Sequence, residues 1–187
     1  MAMPYTACEW TVDMVNALPD DGQRHEIIDG ELFVTPAPTT LHQRAVVRLV
    51  RYLDEYLTGT GIGCTYCSPA DITFSPTTLV QPDVLVVPAV LDRAPRRWSD
   101  VRQLLLAVEV RSPSTAARDQ GVKRRLYQRE RVPEYWIVDC DARCIERWRP
   151  ADERPEVLAE RISWQPDGSR APLVIELPEF FEGLTTV

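Results

Sequence analysis

Two carboxylates stand where apolar strands should not carry them. Glu109 interrupts the run Leu104 to Val110, and Asp83, in Gln81-Pro82-Asp83, opens the run Val84 to Val87. A carboxylate in such a run is costly unless it has a partner. Mg²⁺ prefers one or two carboxylates, completed by water and phosphate oxygens. Two acids at the ends of neighbouring strands would meet that need, and hydrolysis of a phosphodiester requires a held hard cation and stabilised charge on the attacking and departing oxygens. Lys123 is the third candidate. The chain has 20 arginines and this one lysine. A lysine is a compact point charge whose pKa can fall on burial, suited to sit beside a scissile phosphate or to orient a water. On a helix, Asp119, Lys123 and Tyr127 fall at i, i+4 and i+8 and share a face; a surface lysine paired with Asp119 is the plainer alternative. Arg111 lies two residues after Glu109, on the same side of the strand, while Val108 and Val110 turn into the core. Its guanidinium suits a phosphate but cannot deprotonate.

The elements that must position these residues are readable from periodicity. Trp10, Met14 and Leu18 predict a short helix over Thr11 to Leu18, stopped by Pro19. His25 to Thr35 reads as a hairpin about an Asp29-Gly30 turn. Leu41, Ala45, Leu49, Leu53 and Leu57 make one stripe of a helix over Leu41 to Leu57, with Arg44, Arg48 and Arg51 beside it. Strands are expected at Cys64 to Tyr66, Ala70 to Phe74, Val84 to Val87 and Leu104 to Val110, with Thr77-Thr78 and Arg93 to Arg97 as loops. A Ser or Thr of Ser112 to Thr115 is placed to cap a helix over Ala116 to Arg131. Glu134 to Asp139 and Cys144 to Arg149 are then strands about an Asp141-Ala142-Arg143 turn, with weaker strands at Glu156 to Trp164 and Leu173 to Leu177. The expected architecture is one α/β domain over residues 1–187, with helices packed on a mixed sheet.

Composition narrows the function classes. The net charge of −7 argues against a protein that simply coats nucleic acid. Its distribution qualifies this: Arg93 to Arg131 holds eleven basic residues against four acids, a net +7 that leaves −14 on the rest. A basic middle can receive a polyanion, and a solvated helix face explains it equally well. No apolar run reaches the roughly 18 residues of a membrane span. The N-terminus lacks the features of a signal peptide, so a cytoplasmic location is expected. Cys64-x-x-Cys67 and Cys140-x3-Cys144 could form a four-thiolate zinc site, but alternation on a strand turns Cys64 and Cys67 to opposite faces. Free thiols are the expected state of the five cysteines.

An ordered series of motifs adds a resemblance. It comprises His25-Glu26-Ile27-Ile28-Asp29-Gly30-Glu31-Leu32, then Pro36 and Pro38 followed by His42, and Gln81-Pro82-Asp83. It continues through Glu109-Val110-Arg111-Ser112-Pro113-Ser114, Asp119 with Lys123 and Tyr127, and Val132-Pro133-Glu134-Tyr135-Trp136-Ile137-Val138-Asp139. From about Arg24 to Arg149 the chain resembles the Uma-two family of restriction-endonuclease-like proteins, within the PD-(D/E)XK nuclease superfamily. The resemblance implies a restriction-endonuclease-like core sheet flanked by helices and a nuclease site dependent on Mg²⁺, with Mn²⁺ as a substitute. Asp83 and Glu109 would be its metal carboxylates, and Lys123, from the helix, its catalytic lysine. Arg111 stands where the superfamily carries its strand lysine, and would assist Lys123 or replace it. Glu31 resembles the additional N-terminal acid of such sites and would be a third metal ligand. His42 matches a family histidine and would serve local structure or touch substrate; His25 reads as structural and Tyr135-Trp136 as core.

The leading expectation is a metal-dependent endonuclease that hydrolyses DNA through a metal-activated water, with the arginines of Arg93 to Arg97 and Arg124 to Arg131 on the backbone. A homodimer would cut both strands. The competing expectation is a catalytically silent nucleic-acid-binding or assembly module that keeps the fold. RNA or branched DNA are further substrates that the residues do not distinguish.

Overall fold

Asp29 and Gly30 take φ of 51° and 79°, the left-handed pair that a two-residue hairpin turn requires. They join β1 (Arg24–Ile28) to β2 (Glu31–Thr35) in the register Ile28 to Glu31 through Arg24 to Thr35. The structure is a computed structural model and describes residues 9–19, 21–89, 93–112, 116–168 and 170–186. Ahead of the hairpin lies α1 (Val12–Asn16), capped by the Thr11 hydroxyl.

After the hairpin, Thr39 caps α2 (Thr40–Leu57) by accepting from the His42 amide at 3.2 Å. Then follow β3 (Gly63–Cys67), β4 (Ile72–Ser75), β5 (Thr78–Val80), β6 (Val84–Pro88) and β7 (Leu106–Val110). Next come α3 (Ala116–Arg118), a π-helical turn (Asp119–Lys123) and α4 (Arg124–Arg129), which run on as one helix. The chain ends with β8 (Glu134–Asp139), β9 (Cys144–Trp148), β10 (Glu156–Leu158), β11 (Arg161–Trp164), β12 (Leu173–Glu176) and α5 (Leu177–Glu182).

A mixed six-stranded sheet in the order β10-β9-β8-β7-β6-β3 forms the centre, with β7 and β8 parallel and every other pair antiparallel. Its middle strands are near-continuous apolar runs because both of their faces are covered. On one face, Val84, Val86, Val108, Val110 and Val138 pack with Leu49 and Leu53 of α2 and with Trp164, Ile175 and Phe180 of the tail. On the other, Leu85, Val87, Ala107 and Ile137 pack with Ile28, Val80, Leu126 and Tyr127. That second layer is the four-stranded sheet β2-β1-β5-β4 together with α4. The α/β class and the N-terminal hairpin are as expected.

Several expectations are corrected. Thr78 is not in a loop: it begins β5, which pairs with both β1 and β4. Three residues are too few for a periodicity signal. The long helix stops at Arg129, and Arg131 turns the chain at φ 56°. Leu177 opens a helix rather than closing a strand, because Pro178 at its first turn removes an amide that a strand would use. Of the expected cap over Ser112 to Thr115, residues 113–115 lie outside the described residues. The two cysteine pairs cannot meet: β3 is separated from β9 by β6, β7 and β8, about 19 Å at the usual strand spacing. Cys64, Cys67, Cys140 and Cys144 are free.

Candidate active site at the ends of two central strands

The register Val84 to Val108 between β6 and β7 carries Asp83 opposite Glu109, one step along. Both acids are buried. The amide of Val110 donates to Asp83 Oδ2 at 2.8 Å, so the strand that bears Glu109 also anchors Asp83. His42 Nε2 donates to the same oxygen at 2.9 Å and Arg24 Nη1 to Oδ1 at 2.8 Å. Burial alone would raise the Asp83 carboxyl; the His42 hydrogen bond and charge, then Arg24, hold it down to about 2. Asp83 is therefore ionised at neutral pH. The Nδ1 of His42 is buried and has no partner among the described residues.

Glu109 meets Lys123. The Nζ of Lys123 donates to Glu109 Oε1 at 2.7 Å, and Tyr127 Oη donates to the same oxygen at 3.3 Å. Lys123 is not the surface lysine of the plainer alternative: it is wholly buried, and its Nζ lies 2.8 Å from Glu26 Oε1. The π-helical turn that ends at Lys123 widens the helix where its face must meet this charge cluster, and such turns recur at functional sites. Burial works against the ammonium, but Glu109 and Glu26 raise its pKa above the ordinary lysine value, so it is charged. Of its two carboxylate neighbours, Glu26 is the one whose pKa is lowered. Burial would raise it, yet Lys123 and then Arg118 bring it below the usual range. Burial pushes Glu109 well above that range despite Lys123, with Asp83, Asp119 and Glu26 adding to the rise.

Glu26 is the residue that sequence reasoning missed. It accepts the Gln81 amide at 2.8 Å and lies 3.5 Å from Arg118. The available signal was a pair of charges at alternate positions, Arg24 and Glu26, on a strand that otherwise reads Ile-Ile. Glu31, the expected hairpin acid, is instead exposed at the start of β2, beside the turn. Glu26 is the hairpin acid brought to Lys123. Arg111 is also placed apart. Its guanidinium pairs with Asp139 across β7 and β8, in a separate cavity. Because that pair is partly exposed, Arg111→Ala is expected to cost less than about 1 kcal/mol of stability and to leave Mg²⁺ affinity unchanged. A fall in affinity, measured by calorimetry, would return Arg111 to the site.

Other expected roles are also decided by contacts. Arg124 stacks on Trp148 at 4.9 Å, and Arg129 grips Asp29 at 2.8 and 3.0 Å. Arg93, Arg96, Arg97, Arg125 and Arg131 are exposed. Tyr135 and Trp136 are buried core residues. His25 lies 3.8 Å from Asp21 and lines neither cavity that Asp83 borders.

Asp83, Glu109, Arg24 and Arg118 line one cavity of about 200 Å³. Among the described residues no three His, Cys, Asp or Glu side chains form a ready ligand set. The donors nevertheless fit Mg²⁺, which takes few carboxylates and keeps much of its water. Asp83 is ionised, and Glu109 keeps Oε2 outside the hydrogen bonds that Oε1 receives. Thiolates and a histidine cage, which a zinc ion would favour, are missing from this cavity's lining.

A family model described as "Putative restriction endonuclease", Uma2, matches residues 12–186. That span extends the resemblance through the tail, whose Trp164, Ile175 and Phe180 share the core with α2. The fold is similar to a crystal structure described as a putative nuclease belonging to DUF820 from Anabaena variabilis. The TM-score is 0.73 at 18% identity, covering 94% of this chain and 99% of that one. No curated protein matches. Among the described residues no helix is long and apolar enough to cross a membrane. Family and fold together support a nuclease function in general terms. With nearly its whole length matched, the chain belongs to the Uma2 family of restriction-endonuclease-like proteins.

Proposed function

We propose that the protein is a Mg²⁺-dependent endonuclease that hydrolyses DNA phosphodiester bonds. The observation that carries this reading is the pairing of Asp83 and Glu109 on adjacent strand ends of one cavity, with the chain's one lysine buried against Glu109. Asp83 and Glu109 would hold the cation. When bound, Mg²⁺ supplies Lewis-acid polarisation of the phosphodiester and a more acidic water. The chain's own residues do the rest. Arg24 and His42 fix the Asp83 carboxylate, which leaves it little freedom to lose when it binds. Lys123 holds Glu109 by its Oε1 alone. Arg118, held by Thr35 at 2.9 Å, brings a positive charge to the cavity wall where phosphate oxygens would lie. The exposed Arg93, Arg96, Arg97, Arg125 and Arg131 would meet the backbone, which positions a substrate without specifying sequence. A homodimer would present two such sites to the two strands.

The second reading is a silent nucleic-acid-binding or assembly module. One observation favours it: both Asp83 oxygens already accept hydrogen bonds from within the protein. Calorimetry with Mg²⁺ and Mn²⁺ on wild type and Asp83→Ala, beside nicking of supercoiled plasmid, separates the two. The nuclease reading expects metal binding and nicking in the wild type and neither in the variant. Wild type that binds no metal even with DNA present would leave the module.

A further inference from the structure

The helix α2 carries a second stripe that is only partly covered: Val46 packs into the core, Val50 is half-buried and Val47 is exposed. Gln43, Val46, Val47 and Val50 fall at i, i+3, i+4 and i+7 and form one wall of a cavity of about 500 Å³. Val47 is 65% exposed, an unusual state for a large apolar residue beside a cluster of charges. The opposite wall is the segment Cys67-Ser68-Pro69, which begins at the last residue of β3. The floor is shared with the carboxylate cavity: Arg24, His42 and Asp83 line both.

The chemistry of this cavity selects against phosphate. Its charged groups are already paired with one another: Arg24 lies 2.8 Å and His42 2.9 Å from the Asp83 carboxylate. The rest of the lining mixes valines and prolines with Cys67, Ser68 and the amide side chains of three glutamines. Gln43 supplies an exposed amide, whereas the Oε1 of Gln81 is buried. An uncharged, flat group with hydrogen-bonding edges fits such a slot, and the volume lies within the roughly 300–1,000 Å³ of small-molecule sites. Because Asp83 borders both cavities, an occupant would lie next to whatever phosphate reaches Glu109.

We propose that this cavity receives one unpaired nucleoside of the strand being cut, held between the Val46-Val47-Val50 wall and Pro69. The inference rests on the nuclease reading and names its substrate class: single-stranded or locally unpaired nucleic acid over continuous duplex. A base enters such a pocket only when it has left its stack, which costs least where it is already unpaired.

The test uses metal-free protein in EDTA with fluorescent oligonucleotides: a perfect duplex, the same duplex with one extrahelical base, and the single strand. The unpaired forms are expected to bind at least about tenfold more tightly than the duplex, within the range that one held base contributes. Val47→Trp, which fills the mouth from an exposed position, is expected to erase that preference and keep duplex affinity; Val47→Ala keeps the preference. Cys67, the exposed thiol at the mouth, supplies a second readout, with the less exposed Cys64, Cys140 and Cys144 as internal references. Its alkylation should slow with the unpaired oligonucleotides and not with duplex. Equal affinities with equal alkylation of Cys67 would overturn the inference, as would a preference untouched by Val47→Trp. Supercoiled-plasmid nicking in Mg²⁺ separates the two failures. Nicking without the preference removes this pocket and leaves the nuclease, whereas neither binding nor nicking of any nucleic acid removes both.

Discussion

Glu109→Gln is expected to abolish plasmid nicking and Mg²⁺ binding while leaving the fold intact. On the proposed nuclease reading, loss of one of two metal carboxylates would remove several kcal/mol of transition-state stabilisation, a fall of at least about 10²–10³-fold in rate. Stability should scarcely change, because burial already pushes the Glu109 pKa well above the usual carboxylate range. Glutamine keeps the shape of the carboxyl group, and its carbonyl accepts from Lys123 and Tyr127 where Oε1 does now. Asp83→Asn makes the contrast. That carboxyl is ionised down to about 2, so its replacement deprives Arg24 and His42 of their charge partner and lowers the melting temperature as well as activity. Thermal melts and nicking rates on both variants decide the matter. A Glu109→Gln protein that nicks at the wild-type rate would show that Glu109 is not a ligand. One that unfolds would show that its charge is structural.

Lys123→Met is expected to be the most destabilising single change in the chain. It leaves the ionised Glu26 buried without its nearest cation, and breaking one side of a buried pair costs roughly 3–5 kcal/mol. Urea unfolding measures this. Pairing it with Glu26→Gln should recover much of the loss, since the two residues act as one unit. The pH dependence has a definite sign. In the wild type, the folded Glu26 pKa lies below its ordinary value of 4.5. It therefore contributes stability above that value, and the contribution is lost as pH falls through the folded pKa. In the variant the lysine's pull is gone and burial raises the Glu26 pKa, so lowering the pH neutralises the stranded charge. The stability gap between the two proteins should narrow steadily below about pH 5. A loss under about 1 kcal/mol, or a gap that does not depend on pH, would mean that the cluster is relieved by water rather than by Lys123.

The contrast between these residues also shows how far the amino-acid order reaches. The Asp29-Gly30 turn, the α2 stripe and the buried strands were legible because their signals lie within a few neighbouring residues: a left-handed turn pair, a period of 3.6, an uninterrupted apolar run. Asp83 and Glu109 were legible for a related reason, each being a charge that its local surroundings make costly, and Lys123 because it is the one lysine beside 20 arginines. Their partners were not. Arg24 reaches Asp83 across 59 positions of chain, and Glu26 reaches Lys123 only because the hairpin layer folds over the helix. His42 offered a choice between structure and substrate until α2 was laid against the central sheet, where it donates to Asp83. Glu31 and Arg111 carried suitable chemistry at suitable spacing. Layer packing left the first exposed at its turn, and strand pairing turned the second to Asp139. Residue type and local period say which side chains are able to do chemistry and which face each element buries. Which of those side chains meet is set by strand register and by how two layers stack on one sheet, and neither is written in any short stretch of the chain.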